Sequence, residues 1–151
     1  MIIVIGADHG GYILKTGIAG FLKNLGHKVR DLGTDSEAPV DYPDFALAVS
    51  RDILLKKADR GILICGSGVG VSVAANKFPG IRAAICHDTF SAHQGVEDDN
   101  MNVLCLGARV IGAELAKEIL KTWLSAEFSG AQRHKRRLSK IEKIEVEFSC
   151  R

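Results

Sequence analysis

Five short apolar runs, separated from one another by stretches with helical spacing, constrain this chain more than any other feature. They lie at 2–5, 29–32, 61–65, 81–86 and 103–106. Runs of four to six residues that are apolar on both faces read as strands buried on both sides. Between the first two, Ile13, Leu14, Ile18, Phe21, Leu22 and Leu25 share one helical face, and Gly26 closes it. A helix is expected from about Asp44 to Lys57, a third up to Asn76, a fourth from Thr89 to about Val96 and a fifth from Gly112 through Trp123. A last helix begins near Gln132. Strands alternating with helices build βαβ units, and these place a parallel sheet between two helical layers. The expectation is one doubly wound α/β domain over residues 1–151 with a basic helical tail.

Composition matters here for what it excludes. Hydrophobic residues are 46% and charged residues 25% of the 151, which argues against disorder. The net charge of +2 is too small for a general nucleic-acid or membrane binder, and what basic character there is gathers around RHKRR at 133–137. No run approaches the ~18 apolar residues a membrane helix needs. MIIVIGADHGG has no basic leader and enters strand-like sequence at once, so it is not read as a signal peptide. Cysteines at 65, 86, 105 and 150 show no CxxC pair and no metal-like spacing. They are expected to be reduced thiols of a cytoplasmic protein, Cys86 and Cys105 as small core residues and Cys150 at a frayed end.

In an open parallel sheet, ligands bind beyond the carboxyl ends of the strands. Asp8 and His9 follow the first run, Cys65 and GSGVG the third, His87 and Asp88 the fourth, and Gly107 and Arg109 the fifth. The bodies of the first, third and fifth runs offer no charged groups, so the chemistry is expected at the strand ends. The glycine loop fits no nucleotide fingerprint. Gly66, Gly68 and Gly70 are spaced GxGxG rather than GxGxxG, and no lysine follows as in a phosphate loop of the NTPase type. A C-x5-R phosphatase pattern would need arginine at 71, where the chain has Val71. What remains is a nest of backbone amides at a helix start, suited to an oxygen that carries or develops negative charge. A thiol beside such a nest is placed to act as base or nucleophile, and the amides with the Ser67 hydroxyl can hold the oxyanion formed when a proton leaves carbon next to a carbonyl. In the tail, Arg133 and Arg137 are four apart, so two guanidinium forks share a helix face, as a phosphate dianion would require. The same spacing also describes a solvated basic face. No aromatic residues interleave with RHKRR to favour nucleic acid.

The chain resembles the B-type ribose-5-phosphate isomerases, related to the subunits of galactose-6-phosphate isomerase. The likeness spans nearly its whole length and rests on GADHGG, VDYPDFA at 40–46, GILICGSGVGVSVAANKFPGIRAA at 61–84, NVLCLGARVIGAELA at 102–116 and RHKRR. It implies a Rossmann-like three-layer α/β/α domain with a five-stranded parallel sheet and a C-terminal basic helix. It also implies a homodimer, or a tetramer built from dimers, without metal or cofactor, interconverting ribose 5-phosphate and ribulose 5-phosphate through an enediolate. By position, Cys65 matches the proton-abstracting base, and Gly66, Ser67, Gly68, Val69 and Gly70 the enediolate cradle. Asp8, His9 and Tyr42 match substrate-binding positions. Arg109, Arg133 and Arg137 match phosphate-binding arginines, the tail pair reaching into a partner subunit's site. One position departs. Where the family has histidine then asparagine before the fifth strand, the histidine opening the sugar ring, this chain has Asp98 and Asp99. Ring opening then falls to a tuned Asp98, to His87, His93 or His9, or the substrate is a four-carbon sugar phosphate that closes no ring.

Overall fold

The computed structural model describes residues 1–148, so Cys150 lies outside the described residues. Five strands form the sheet: β1 (Ile2–Ala7), β2 (Lys28–Asp31), β3 (Arg60–Cys65), β4 (Ala83–Ile85) and β5 (Val103–Gly107). All pair in parallel, in the order β2-β1-β3-β5-β4. Six helices join and follow them: α1 (Tyr12–Asn24), α2 (Tyr42–Leu54), α3 (Val69–Ala75), α4 (Thr89–Asp99), α5 (Ala113–Ser125) and α6 (Gln132–Phe148).

The two-residue period of a strand divides the core. Ile62 and Ile64 of β3 join Ile3 and Ile5 of β1 on the face covered by α1, α4 and α5, where Ile18, Leu22, Ile119, Leu120 and Trp123 are fully buried. Leu63 and Cys65 point to the opposite face and pack with Ala46 and Val49 of α2 and Val71 and Ala75 of α3. The sheet with both helical layers is the three-layer arrangement expected. Cys65 is thus the last inward residue of a central strand, on the α2–α3 side.

Element boundaries differ from expectation where the backbone has its own reasons. α2 starts at Tyr42 instead of Asp44, because Pro43 in the first turn needs no N–H partner there. It stops at Leu54 rather than Lys57, since Lys56 turns left-handed at φ 55°. α4 runs on to Asp99, three residues past Val96, and ends where Asn100 is left-handed at φ 49°. β4 keeps only three residues of the 81–86 run. The Asn76 side chain takes up the backbone of Ala83 on both its N–H and its C=O side. At the far end of the sheet, Arg60 lies over the Trp123 ring, 5.2 Å from its centre, and donates to the carbonyls of Trp123 and Ala126. That cation closes the C-terminus of α5. No helix among the described residues is long and apolar enough to cross a membrane.

Candidate active site

β1 and β3 are sheet neighbours whose chain connections leave in opposite directions, which opens a crevice at their carboxyl ends. Ala7 pairs with Ile64 and Cys65 with Gly107, so the loops after β1, β3 and β5 start level with one another. A cleft of about 330 Å³ opens there, lined by Tyr42, Cys65, Gly66, Ser67, Gly70, Arg109 and Val110.

The loop after β3 turns back on its own cysteine. Gly68, at φ 82°, takes the left-handed conformation that glycine adopts without a side-chain clash. Its N–H thereby points at Cys65 Sγ, 3.1 Å away. The thiol is buried at 5% exposure, and a thiolate accepts such a bond more strongly than a thiol. Ser67 Oγ accepts the Val69 N–H at 3.2 Å. The N–H groups of Ser67 and Gly70 meet no acceptor among the described residues. α3 has only seven residues, so these local amides, more than a long helix dipole, supply the positive end of the cradle.

Tyr42 and Arg109 flank the loop. A Cβ at Gly70 would stand 2.8 Å from Tyr42 Cζ, so the ring lies against bare backbone that only glycine allows. Arg109 guanidinium atoms lie 3.6 Å from the place a Gly66 Cβ would take, and Arg109 N–H donates to the Gly66 carbonyl at 3.0 Å. Asp8 is buried and accepts the Gly11 N–H at 3.1 Å. His9 Nδ1 accepts the Val40 N–H at 3.2 Å, which leaves the ring proton on Nε2. His9 lines a second cleft with Glu37 and Ala108, on the other side of the same Ala108–Arg109 turn. Of the other histidines considered for ring opening, His87 Nε2 accepts the Gly107 N–H at 2.9 Å and His93 pairs with Glu97 at 3.3 Å on exposed surface.

The other two described thiols, Cys86 and Cys105, are buried in the core. Burial, with Asp88 nearby, pushes Cys86 up to about 11, and deeper burial pushes Cys105 up further. Both stay protonated core residues at neutral pH. Among the described residues, no group of three or more His, Cys, Asp or Glu is arranged to hold a metal ion.

Four expected residues stand apart from the Cys65 cleft of their own chain. Arg133 and Arg137 are exposed on α6 and pair with no carboxylate among the described residues. Asp99 faces a separate groove of about 700 Å³ bounded by α6. Asp98 binds His134, a residue the sequence reading passed over inside RHKRR. His134, Leu138 and Ile141 recur at helical spacing in the sequence, but only His134 of the three is buried.

A β-strand that ends in a cysteine, followed by an amide cradle at the switch point of a five-stranded parallel sheet, places a thiol beside groups that can hold a negatively charged oxygen. Comparison with known proteins narrows the class. Residues 3–141 match the Ribose/Galactose Isomerase family, and the chain belongs to this family of sugar-phosphate isomerases. It is 46% identical to ribose-5-phosphate isomerase B of Escherichia coli over 95% of each chain. It is 47% identical to D-erythrulose-4-phosphate isomerase of Pectobacterium atrosepticum, over 94% of this chain and 91% of that one. The structure of Clostridium thermocellum ribose-5-phosphate isomerase B superimposes with a TM-score of 0.96 at 51% identity, covering 98% of this chain and 99% of that one.

Proposed function

We propose that this chain interconverts ribose 5-phosphate and ribulose 5-phosphate by carrying a proton between C2 and C1 through an enediolate. The observation that carries this reading is the Gly68 N–H aimed at Cys65 Sγ, at 3.1 Å, inside a loop whose neighbouring amides are unclaimed. Base and oxyanion cradle then come from one contiguous segment.

In the open-chain aldose, the Cys65 thiolate takes the C2 proton and the electron pair becomes the C1=C2 bond. Negative charge gathers on O1, where the Ser67 and Gly70 N–H groups meet it. The proton returns from Cys65 to C1 while the O2 proton passes to O1, leaving a carbonyl at C2. Every step uses groups the chain itself supplies. Tyr42, Asp8 and His9 bound the sugar, and Arg109 receives the phosphate together with Arg133 and Arg137 of a partner subunit. That assignment gives the unpaired tail arginines a ligand, makes the protein a homodimer or a tetramer of dimers, and fits the non-oxidative pentose phosphate pathway of the cytoplasm. A Cys65→Ala variant that still binds ribose 5-phosphate but has lost turnover supports the assignment; equal turnover in that variant removes Cys65 as the base.

A second reading is favoured by one position. Asp98 stands where the family's ring-opening histidine belongs, and the Pectobacterium relative is a D-erythrulose-4-phosphate isomerase. A four-carbon sugar phosphorylated on its terminal oxygen cannot close a furanose ring and needs no acid there. Comparing kcat/KM for ribose 5-phosphate and erythrose 4-phosphate decides between the two.

A further inference from the structure

His134 is the only residue of α6 that is buried, at 1% exposure, in a helix that otherwise shows solvent most of its surface. Its Nδ1 lies 3.0 Å from Asp98 Oδ1, in the last turn of α4. Its Nε2 is sealed from solvent and has no partner among the described residues. The next polar contact is Ser129 Oγ, 3.5 Å from Nδ1. Ser129 is itself tied to α4, its N–H donating to the Glu97 carbonyl at 3.0 Å. Two contacts, each 3.0 Å, therefore tie the start of α6 and the loop before it to the end of α4, and the one that fixes the ring depends on Asp98. Without that carboxylate, Nδ1 would keep only Ser129 Oγ at 3.5 Å while Nε2 stays buried without a partner among the described residues, a costly state for polar atoms.

We propose that Asp98 is a positioning residue: through His134 it fixes the first turns of α6, and with them Arg133 and Arg137, and it does not serve as a ring-opening acid. The inference rests on the reading above that these arginines hold the substrate phosphate. Arg133 is the residue before His134 and Arg137 stands three after it, so both ride on the turn that the ring anchors. Asp98 is 27% exposed on its side chain, and its Oδ1 faces the ring at 3.0 Å from Nδ1, so the carboxylate is engaged with His134. A ring-opening acid must instead bring its own proton to the sugar oxygen. Asp99 turns toward the separate groove beside α6 and takes no part in this clamp.

The two roles predict different substrate dependence. A positioning residue acts on every phosphorylated substrate alike, whereas a ring-opening acid matters only to a sugar that closes a ring. Asp98→Ala and Asp98→Asn are assayed with ribose 5-phosphate and with erythrose 4-phosphate, and amide hydrogen exchange is followed over 132–138 in each protein. Asp98→Ala is expected to raise KM for both substrates by the same factor, about tenfold, with kcat changed much less, and to speed exchange over 132–138. Asn still accepts from Nδ1–H but cannot act as a carboxylic acid, so Asp98→Asn is expected to recover most of the KM and most of the protection. A loss confined to ribose 5-phosphate, with Asn as poor as Ala, would overturn the proposal in favour of an acid. Unchanged KM together with unchanged exchange would overturn it as well. Should the wild-type protein turn over neither sugar, the isomerase reading fails on its own, and the exchange measurement still decides whether Asp98 anchors α6.

Discussion

The glycine loop after β3 and the junction between α4 and α6 hold their functional groups in opposite ways. In the loop, Cys65, Ser67, Gly68 and Gly70 lie within six residues, and the decisive contact, Gly68 N–H to Cys65 Sγ, spans three. At the junction, Asp98 and His134 are far apart in sequence and meet only because the helices pack. The loop needs a backbone conformation that Gly68 supplies; the junction needs two side chains delivered by separate elements. Under the function proposed above, bond-making chemistry falls to the local part and phosphate recognition to a helix held at one buried ring.

Substitutions should separate these two regions by the kind of damage they do. Cys65→Ala is expected to have the largest effect, lowering kcat by about 10³-fold or more with substrate affinity kept, as loss of a general base does; single-turnover kinetics and isothermal titration read the two quantities separately. Arg137→Ala should act mainly on affinity, raising KM for sugar phosphates by about 10- to 100-fold, the worth of one or two charge-assisted bonds. Mixing Arg137→Ala with Cys65→Ala sharpens the contrast. After subunit exchange, a heterodimer contains one site with both groups intact, so partial activity returns if the site is shared and none returns if each chain is self-sufficient. Gly70→Ala places a methyl 2.8 Å from the Tyr42 ring and should cost about 1–3 kcal/mol of stability by overpacking, visible as a lowered denaturation midpoint.

The smallest expected effect concerns pH. Cys86 titrates near 11 when folded, because of burial and then Asp88, against 9.0 for an unshifted thiol. A raised folded value means the native state keeps a proton the unfolded chain gives up. The stability it contributes is whole below about pH 9 and is lost as pH rises toward 11, so the melting temperature should fall over that window. Cys86→Ala should flatten part of the fall, with Cys105 responsible for what remains.

Much of this was legible in the sequence because the informative residues are contiguous. Continuous apolar runs are enough to define β1, β3 and β5, whereas β2 (KVRD) is mostly exposed and is marked chiefly by its place between two helices, and the two-residue alternation in ILIC puts Cys65 on one known face. Helix ends were less accessible. Pro43 admits an earlier start to α2, and the left-handed Lys56 and Asn100 set its end and that of α4, although neither residue type demands a turn. The cleft itself was only half readable. Nothing local says that Tyr42 lies on Gly70, or that His9 takes its hydrogen bond from Val40, because those contacts depend on how α2 and the preceding loop pack against the sheet. His134 was hidden for another reason: within RHKRR the charge run dominates the eye, and only burial distinguishes the one ring that faces inward.

The most direct test of the account is solvent exchange during turnover. Ribose 5-phosphate is incubated with the protein in D2O and followed by proton NMR at C1 and C2. Proton transfer through an enediolate by a single thiolate predicts deuterium at C1 of the ketose and at C2 of recovered aldose to the extent that the abstracted proton exchanges before it returns, with both wash-in and isomerisation abolished in Cys65→Ala. Isomerisation or wash-in that persists undiminished in Cys65→Ala would contradict it.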